Sequence, residues 1–302
     1  MRERVKLTNH HGQYFREISG DVMKIVIGYD GTAVADESLE DLIYAGLPAD
    51  TMAIILTVKG GWLLDRAERE IAEIAEKGRE KLSAIFPKWQ VKAETSFGNP
   101  ATQILQVAEG FSPDLIVLGE RKNSGEGRNL FLGSVANEVI SNATGSVRIC
   151  RQESDMRSLL NIVGFDGSEP ASRAVKALAA REWPKNSEVR LVVVADSTVI
   201  DTVGRFIPQI ANATIESRAV HQWADALCKE PISFLKRHGI NAVLHLEFGN
   251  PKDVITTLAE KWNAATIFMG PHCAGNSYER FLLGSVSAAV AARANCSIEI
   301  IR

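Results

Sequence analysis

"LIVLGERKNSGEGRNLFLGSVANEVI", residues 115–140, runs from a short apolar strand through a loop rich in glycine and charge into a helix opening on Gly-Ser-Val. "TIFMGPHCAGNSYERFLLGSVSAAV", residues 266–290, repeats the pattern near the other end of the chain. The pair is one landmark of a longer repeat. "KIVIGYDGTAVADESL" from Lys24 and "NIVGFDGSEPASRAV" from Asn161 each read as a buried strand ending in an Asp-Gly turn that opens a helix. Asp30 and Asp166 lie 136 positions apart, and so do Val58 and Val194, in the next apolar runs. From "SFGNPATQIL" (96–105) and "EFGNPKDVIT" (247–256) onward the offset is 151, holding for Gly119 with Gly270 and Gly133 with Gly284. Landmarks in the same order, reconciled by one insertion of 15 residues within "DSTVIDTVGRFIPQIANATIE", identify a tandem duplication.

Within each half, apolar runs rich in Val and Ile alternate with helical stretches. Such runs suit strands covered on both faces. "LLDRAEREIAEIAEKGREKLSAIF" places Leu64, Ala67, Ile71, Ile74 and Ala75 at helical spacing with charge on the opposite face. "GNP" puts proline in a first helical turn, where its missing N–H costs nothing. The order predicts an α/β fold of two tandem doubly wound domains, each a five-stranded, mostly parallel sheet with four helices. The boundaries read as an N-terminal extension (1–22), a first domain (23–152), a linker (153–159) and a second domain (160–302). The closing strands, "GSVRICR" (145–151) and "CSIEIIR" (296–302), alternate apolar and polar residues. Alternation fits a strand with one exposed face, or an edge strand that pairs elsewhere. Pairing the two halves through them would set Val147 and Ile149 against Ile298 and Ile300. "VHQWADALCKEPISFLKRHG" reads as a helix broken or kinked at Pro231.

The 302 residues suffice for two domains, each able to bury its own core. A net charge of -3 argues against a general nucleic-acid or membrane-surface binder, which needs a basic face. The four cysteines, Cys150, Cys228, Cys273 and Cys296, show no C-x-x-C spacing, so zinc and redox motifs are unsupported. Cys150 and Cys296 read as buried thiols in apolar strands. No apolar run reaches 18 residues and the N-terminal stretch lacks a signal-peptide core, which leaves the cytoplasm as the expected compartment. The extension reads as a packed arm or a disordered tail.

In a doubly wound sheet, ligands bind beyond the carboxyl ends of the strands where the strand order reverses. The turns Asp30-Gly31 and Asp166-Gly167 would then share a crevice with the loops after Gly119 and Gly270. Gly133-Ser134-Val135 and Gly284-Ser285-Val286 would start helices pointing into it. A helix N-terminus offers unpaired N–H groups and about half a positive charge, and glycine lets the backbone approach an anion, which suits phosphate. No G-x-x-x-x-G-K-[ST] loop and no dinucleotide G-x-G-x-x-G fingerprint is present.

Each half resembles a universal stress protein domain, and the chain is similar to tandem members of that family over roughly 23–152 and 158–302. The resemblance implies an adenine-nucleotide α-hydrolase-like, Rossmann-like fold that binds ATP, with Mg2+ as an optional companion, in a stress response or in signalling. It implies ligand aspartates at Asp30 and Asp166 and adenine positions at Val58 and Val194. The family motif G-x2-G-x9-G-[ST] falls on Gly119 with Gly133 and Ser134, and on Gly270 with Gly284 and Ser285. Its second glycine falls on Lys122 and Cys273, and each loop is one residue longer than the pattern. Lys122 and His272 become candidate phosphate neighbours, while Glu120 and Glu126 oppose an anion, which favours the second half as the binding half. Single-domain relatives dimerise through their last strands, so the resemblance implies an intramolecular pseudo-dimer here; a homodimer of whole chains stays open. Hydrolysis would be slow at most. An adaptor with vestigial sites is the alternative. An adenylating enzyme fits less well, since "GYDGTA" and "GFDGSE" lack the S-G-G-x-D-S loop of that group.

Overall fold

The computed structural model describes residues 22–60, 65–120, 132–151, 158–195, 218–271 and 283–302. The first half contains β1 (Met23–Gly28), α1 (Ala33–Asp41), β2 (Thr51–Lys59), α2 (Asp65–Ile85), β3 (Gln90–Phe97), α3 (Pro100–Phe111), β4 (Leu115–Gly119), α4 (Ser134–Asn142) and β5 (Ser146–Cys150). The second contains β6 (Leu160–Gly164), α5 (Glu169–Ala179), β7 (Glu188–Ala195), α6 (Arg218–Arg237), β8 (Asn241–Phe248), α7 (Pro251–Lys261), β9 (Thr266–Met269), α8 (Ser285–Arg293) and β10 (Ser297–Ile300). A short 3-10 turn, Leu42–Ala45, extends α1. The ten strands of the described residues join one sheet in the order β3-β2-β1-β4-β5-β10-β9-β6-β7-β8. Within each half every pairing is parallel, and β1 and β6 each lie between strands reached by crossovers in opposite directions. Those are the reversal points expected from the alternating pattern.

The helices bury the stripes that their spacing marks. In α2, Ile71, Ala75 and Leu82 are almost wholly covered. Asn99 and Asn250 cap α3 and α7 through their side chains, and Pro100 and Pro251 occupy the first turns. Of the break or kink read at Pro231, the break does not occur: α6 runs through the proline for 20 residues. Val220, Ala224, Cys228 and Leu235 bury one side of this helix. That packing outweighs the roughly 3 kcal/mol a proline costs in a helix interior. Cys150 and Cys228 are buried, whereas Cys296 is only half-buried. Burial raises the Cys150 thiol well above its ordinary range, and burial followed by the nearby Asp225 carboxylate pushes Cys228 up to about 12. A raised thiol pKa leaves little thiolate near neutrality. In native protein at pH 8, Cys150 and Cys228 are therefore expected to resist alkylation by iodoacetamide and to label only on denaturation, as peptide mass spectrometry would show. Labelling of either in the folded chain would contradict this packing.

The halves meet where β5 and β10 pair antiparallel, Ile149 opposite Ile298, Arg148 opposite Glu299 and Val147 opposite Ile300. The apolar members join a core that runs unbroken across the junction on one face of the sheet, from Val26 and Ile116 to Ile267 and Val290. The opposite face holds one large core per half and, in the second half, a small separate cluster around Ala195 and Val220. Between the two large cores lies the surprise in the alternating pattern, because its polar side is not in water. Arg148, Asp41 and Glu299 are at most 1% exposed. Arg148 donates from Nε to Asp41 at 2.8 Å, from Nη1 to Glu299 at 3.3 Å and from Nη2 to Thr266 Oγ1 at 3.1 Å. Glu299 also accepts from Arg181 Nη1 at 3.1 Å and forms a short contact with Nη2 of the same residue. Ser297 Oγ donates to Asp41 at 2.8 Å. Burial alone would weaken the proton affinity of Arg148, but the negative groups around it, Asp41 foremost and Glu299 among the others, together outweigh burial and its pKa is raised. The rest of the junction keeps an approximate twofold relation. Arg151 N–H donates to Ser297 Oγ and Arg302 N–H to Ser146 Oγ, while each arginine side chain reaches a carbonyl at the end of the other half's last helix.

Candidate functional site

Both Asp-Gly turns form as the repeat implies. Asp30 Oδ1 accepts from the Thr32 N–H at 3.0 Å and from Thr32 Oγ1 at 2.6 Å, and Thr32 then caps α1. Asp166 Oδ1 accepts from the Ser168 N–H at 2.9 Å, and Ser168 caps α5. The glycine in each turn is required: Gly31 and Gly167 have φ of 77° and 81°, where other residues are strained. A Cβ on either would also strike a helix side chain, Ile74 in the first half and Leu227 in the second.

Between the carboxyl ends of β1 and β4, a crevice of about 410 Å3 opens in the first half. Asp30 and Thr32 line it beside Leu56 and Val58 of β2, Ile104 of α3, Leu118 and Gly119 of β4, and Val135 of α4. Four of the sequence-derived positions, Asp30, Val58, Gly119 and Val135, thus share one cavity. Its volume lies in the range of small-ligand sites, and its walls are mostly apolar, as such sites usually are. Ile104, Leu118 and Thr32 were not singled out from the sequence. The signal was available for Ile104, which follows the repeated "GNP" by one helical turn. Tyr29 also borders the cavity, but its hydroxyl donates to Asp36 at 2.6 Å. Burial, with that acceptor, raises its pKa, so it stays protonated.

The helix tips differ in detail from their expected form. Ser134 and Ser285 are the first residues of α4 and α8, and the N-cap positions belong to Gly133 and Gly284, without a side-chain cap. The two seryl residues are exposed. In the first half the Gly133 N–H donates to Glu120 Oε1 at 2.5 Å. The other oxygen of Glu120 contacts Arg151 Nη2. In the second half Asp166 is exposed at its turn, and Val194 and Val286 pack partly buried against the shared core. Gly270 lies directly beneath Pro170 of α5. Lys122, His272, Cys273, Gly125 and Glu126 lie outside the described residues, as does the N-terminal extension apart from its last residue, Val22. Of the two acids on which the preference for the second half rested, Glu120 is described and Glu126 is not.

Among the described residues no three His, Cys, Asp or Glu side chains cluster as metal ligands. Among them also, no helix is long and apolar enough to cross a membrane. The apolar cavity at the strand-order reversal suits a small ligand, whereas the Gly133 N–H at the tip of α4 is already taken by Glu120.

The universal stress protein family model matches residues 22–151 and 162–302. A universal stress protein of Methanocaldococcus jannaschii is 32% identical over 142 residues, covering 43% of this chain and 82% of that protein. Among solved structures, a universal stress protein from Archaeoglobus fulgidus covers 92% of this chain and 96% of its own at 22% identity, with a TM-score of 0.62. A universal stress protein solved in complex with cAMP aligns with 47% of this chain and 95% of its own, at 21% identity and a TM-score of 0.33. With matches over both halves, the chain belongs to the universal stress protein family and carries two of its domains in tandem.

Proposed function

We propose that the chain is an adenine-nucleotide-binding module acting in a stress response or in signalling, and that the crevice of the first half is its binding site. The observation that carries this reading is the convergence of Asp30, Val58, Gly119 and Val135 on one cavity at the strand-order reversal. In this reading the end of β2 at Val58 faces the base and Asp30 faces the sugar. Of the described residues lining the cavity only Tyr29 and Asp30 are titratable, and none is Lys or Arg. Rapid phosphoryl transfer needs a positioned base and a clamp of positive charge around the phosphoryl group. The lining therefore supports binding with slow turnover at most. The β5–β10 junction supports a pseudo-dimer within one chain, the arrangement implied by the strand pairing of single-domain relatives.

Replacing Asp30 with Ala is expected to weaken adenine-nucleotide binding at least tenfold in calorimetric titration, whereas Asp30→Asn, which keeps an acceptor for Thr32, should retain the turn. Unchanged affinity in Asp30→Ala would remove the aspartate from the site. The adaptor reading is favoured by one observation, the carboxylate of Glu120 on the Gly133 N–H. Absence of binding by adenosine, AMP and ATP alike would establish it in place of the nucleotide reading.

A further inference from the structure

The helix tip at which the resemblance puts phosphate already holds an anion from the chain itself. Glu120 accepts from the Gly133 N–H, and its side chain is 12% exposed. Arg151, 4% exposed, holds the second oxygen of that carboxylate. The arginine is fixed in turn, since its Nη1 donates to the Ala294 carbonyl at 3.0 Å and its N–H to Ser297 Oγ at 3.0 Å. Both anchors lie in the other half, so Glu120 is clamped from behind by the junction and is not a side chain swinging in solvent. A carboxylate in this position satisfies an orphan N–H and the positive end of the helix dipole, the two features that would otherwise draw a phosphate. The arrangement is particular to the first half. The position equivalent to Glu120 in the duplication is Pro271, which carries no charge.

We propose that Glu120 is a built-in counter-anion that makes the first crevice select a nucleoside or nucleoside monophosphate over a triphosphate. The proposal rests on the reading of the crevice as an adenine-nucleotide site. The apolar walls and Asp30 remain available to the base and sugar. Additional phosphates bring negative charge toward a carboxylate that cannot move without leaving Arg151 unpaired from it. Like charges held close in a partly desolvated site repel strongly.

The test is calorimetric titration of the full chain with adenosine, AMP and ATP in the absence of divalent cations, for the natural sequence, Glu120→Gln and Glu120→Ala. The natural sequence should bind adenosine at least tenfold more tightly than ATP. Glu120→Ala should shift that ratio toward ATP by at least tenfold. Glu120→Gln keeps an acceptor for Gly133 and a partner for Arg151 while removing the charge; it should shift the ratio partway, and it keeps the test decisive if the alanine variant folds poorly. A natural sequence that prefers ATP, or a ratio that neither variant moves while adenosine still binds, overturns the selectivity. No binding of any of the three ligands overturns the nucleotide reading together with it, and the two failures are told apart by the adenosine titration alone.

Discussion

Arg148→Met is expected to lower the stability of the chain by about 3–5 kcal/mol, read as a shift of the urea unfolding midpoint at neutral pH. The substitution nearly preserves apolar volume, so its cost comes from the charges it strands. Asp41 loses its guanidinium partner, and Glu299 is left with Arg181, all in a region where Asp41 and Glu299 are at most 1% exposed. Arg148→Lys should cost roughly half as much by the same argument. A lysine keeps the charge, but one ammonium cannot reproduce the planar fork that reaches Asp41, Glu299 and Thr266 at once. Replacing Asp41, Arg148, Arg181 and Glu299 together by apolar residues should fall much closer to the natural stability, because a buried ion network gains little net energy over good packing. An Arg148→Met midpoint indistinguishable from the natural protein would mean that water reaches this network in solution.

The same network shows where the sequence stops being legible. The duplication and the alternation of strands with helices follow from short periodic patterns whose physics is local. The meeting of Asp30, Gly119 and Val135 follows from the rule that ligand sites lie where the strand order reverses, and Val58 came from the family resemblance. Apolar runs need two covered faces, and Asp-Gly turns need a positive φ. The alternation in "SVRIC" and "SIEI" is equally local, but it cannot tell a polar face in water from one beneath helices. Only the packing of α1 and of the segment carrying Arg181 against the junction decides that. One clue was available. Arg148 and Glu299 are equivalent positions of the repeat, and antiparallel pairing sets them opposite each other. Two identical copies would have buried like charge against like; divergence into Arg and Glu is what the pairing requires. Glu120 was less readable. Its contact with Gly133 depends on how the intervening loop returns, and that of Arg151 on the other half of the molecule.

Gly270→Ala should be the more damaging of two equivalent substitutions, at about 3 kcal/mol against about 1 for Gly119→Ala, compared as urea midpoints. Gly119 ends β4 and Gly270 directly follows β9, each where the first helix of its half crosses closely. At Gly119 an added Cβ would lie 3.0 Å from the Val34 carbonyl oxygen and 3.2 Å from Ser38 Cβ, tight contacts that a small shift relieves. At Gly270 it would lie 2.4 Å from Pro170 Cβ and 2.6 Å from the Pro170 carbonyl carbon, so it overlaps ring and backbone together. Relief then requires α5 to move as a unit. Pro170 sits in the first turn of that helix, two residues beyond the Ser168 cap that Asp166 holds through its N–H. Moving the helix strains the second Asp-Gly turn as well, where Gly167 is confined by Leu227. Equal costs for the two substitutions would show that α5 shifts outward as freely as α1, and the closer approach would then carry no energetic weight.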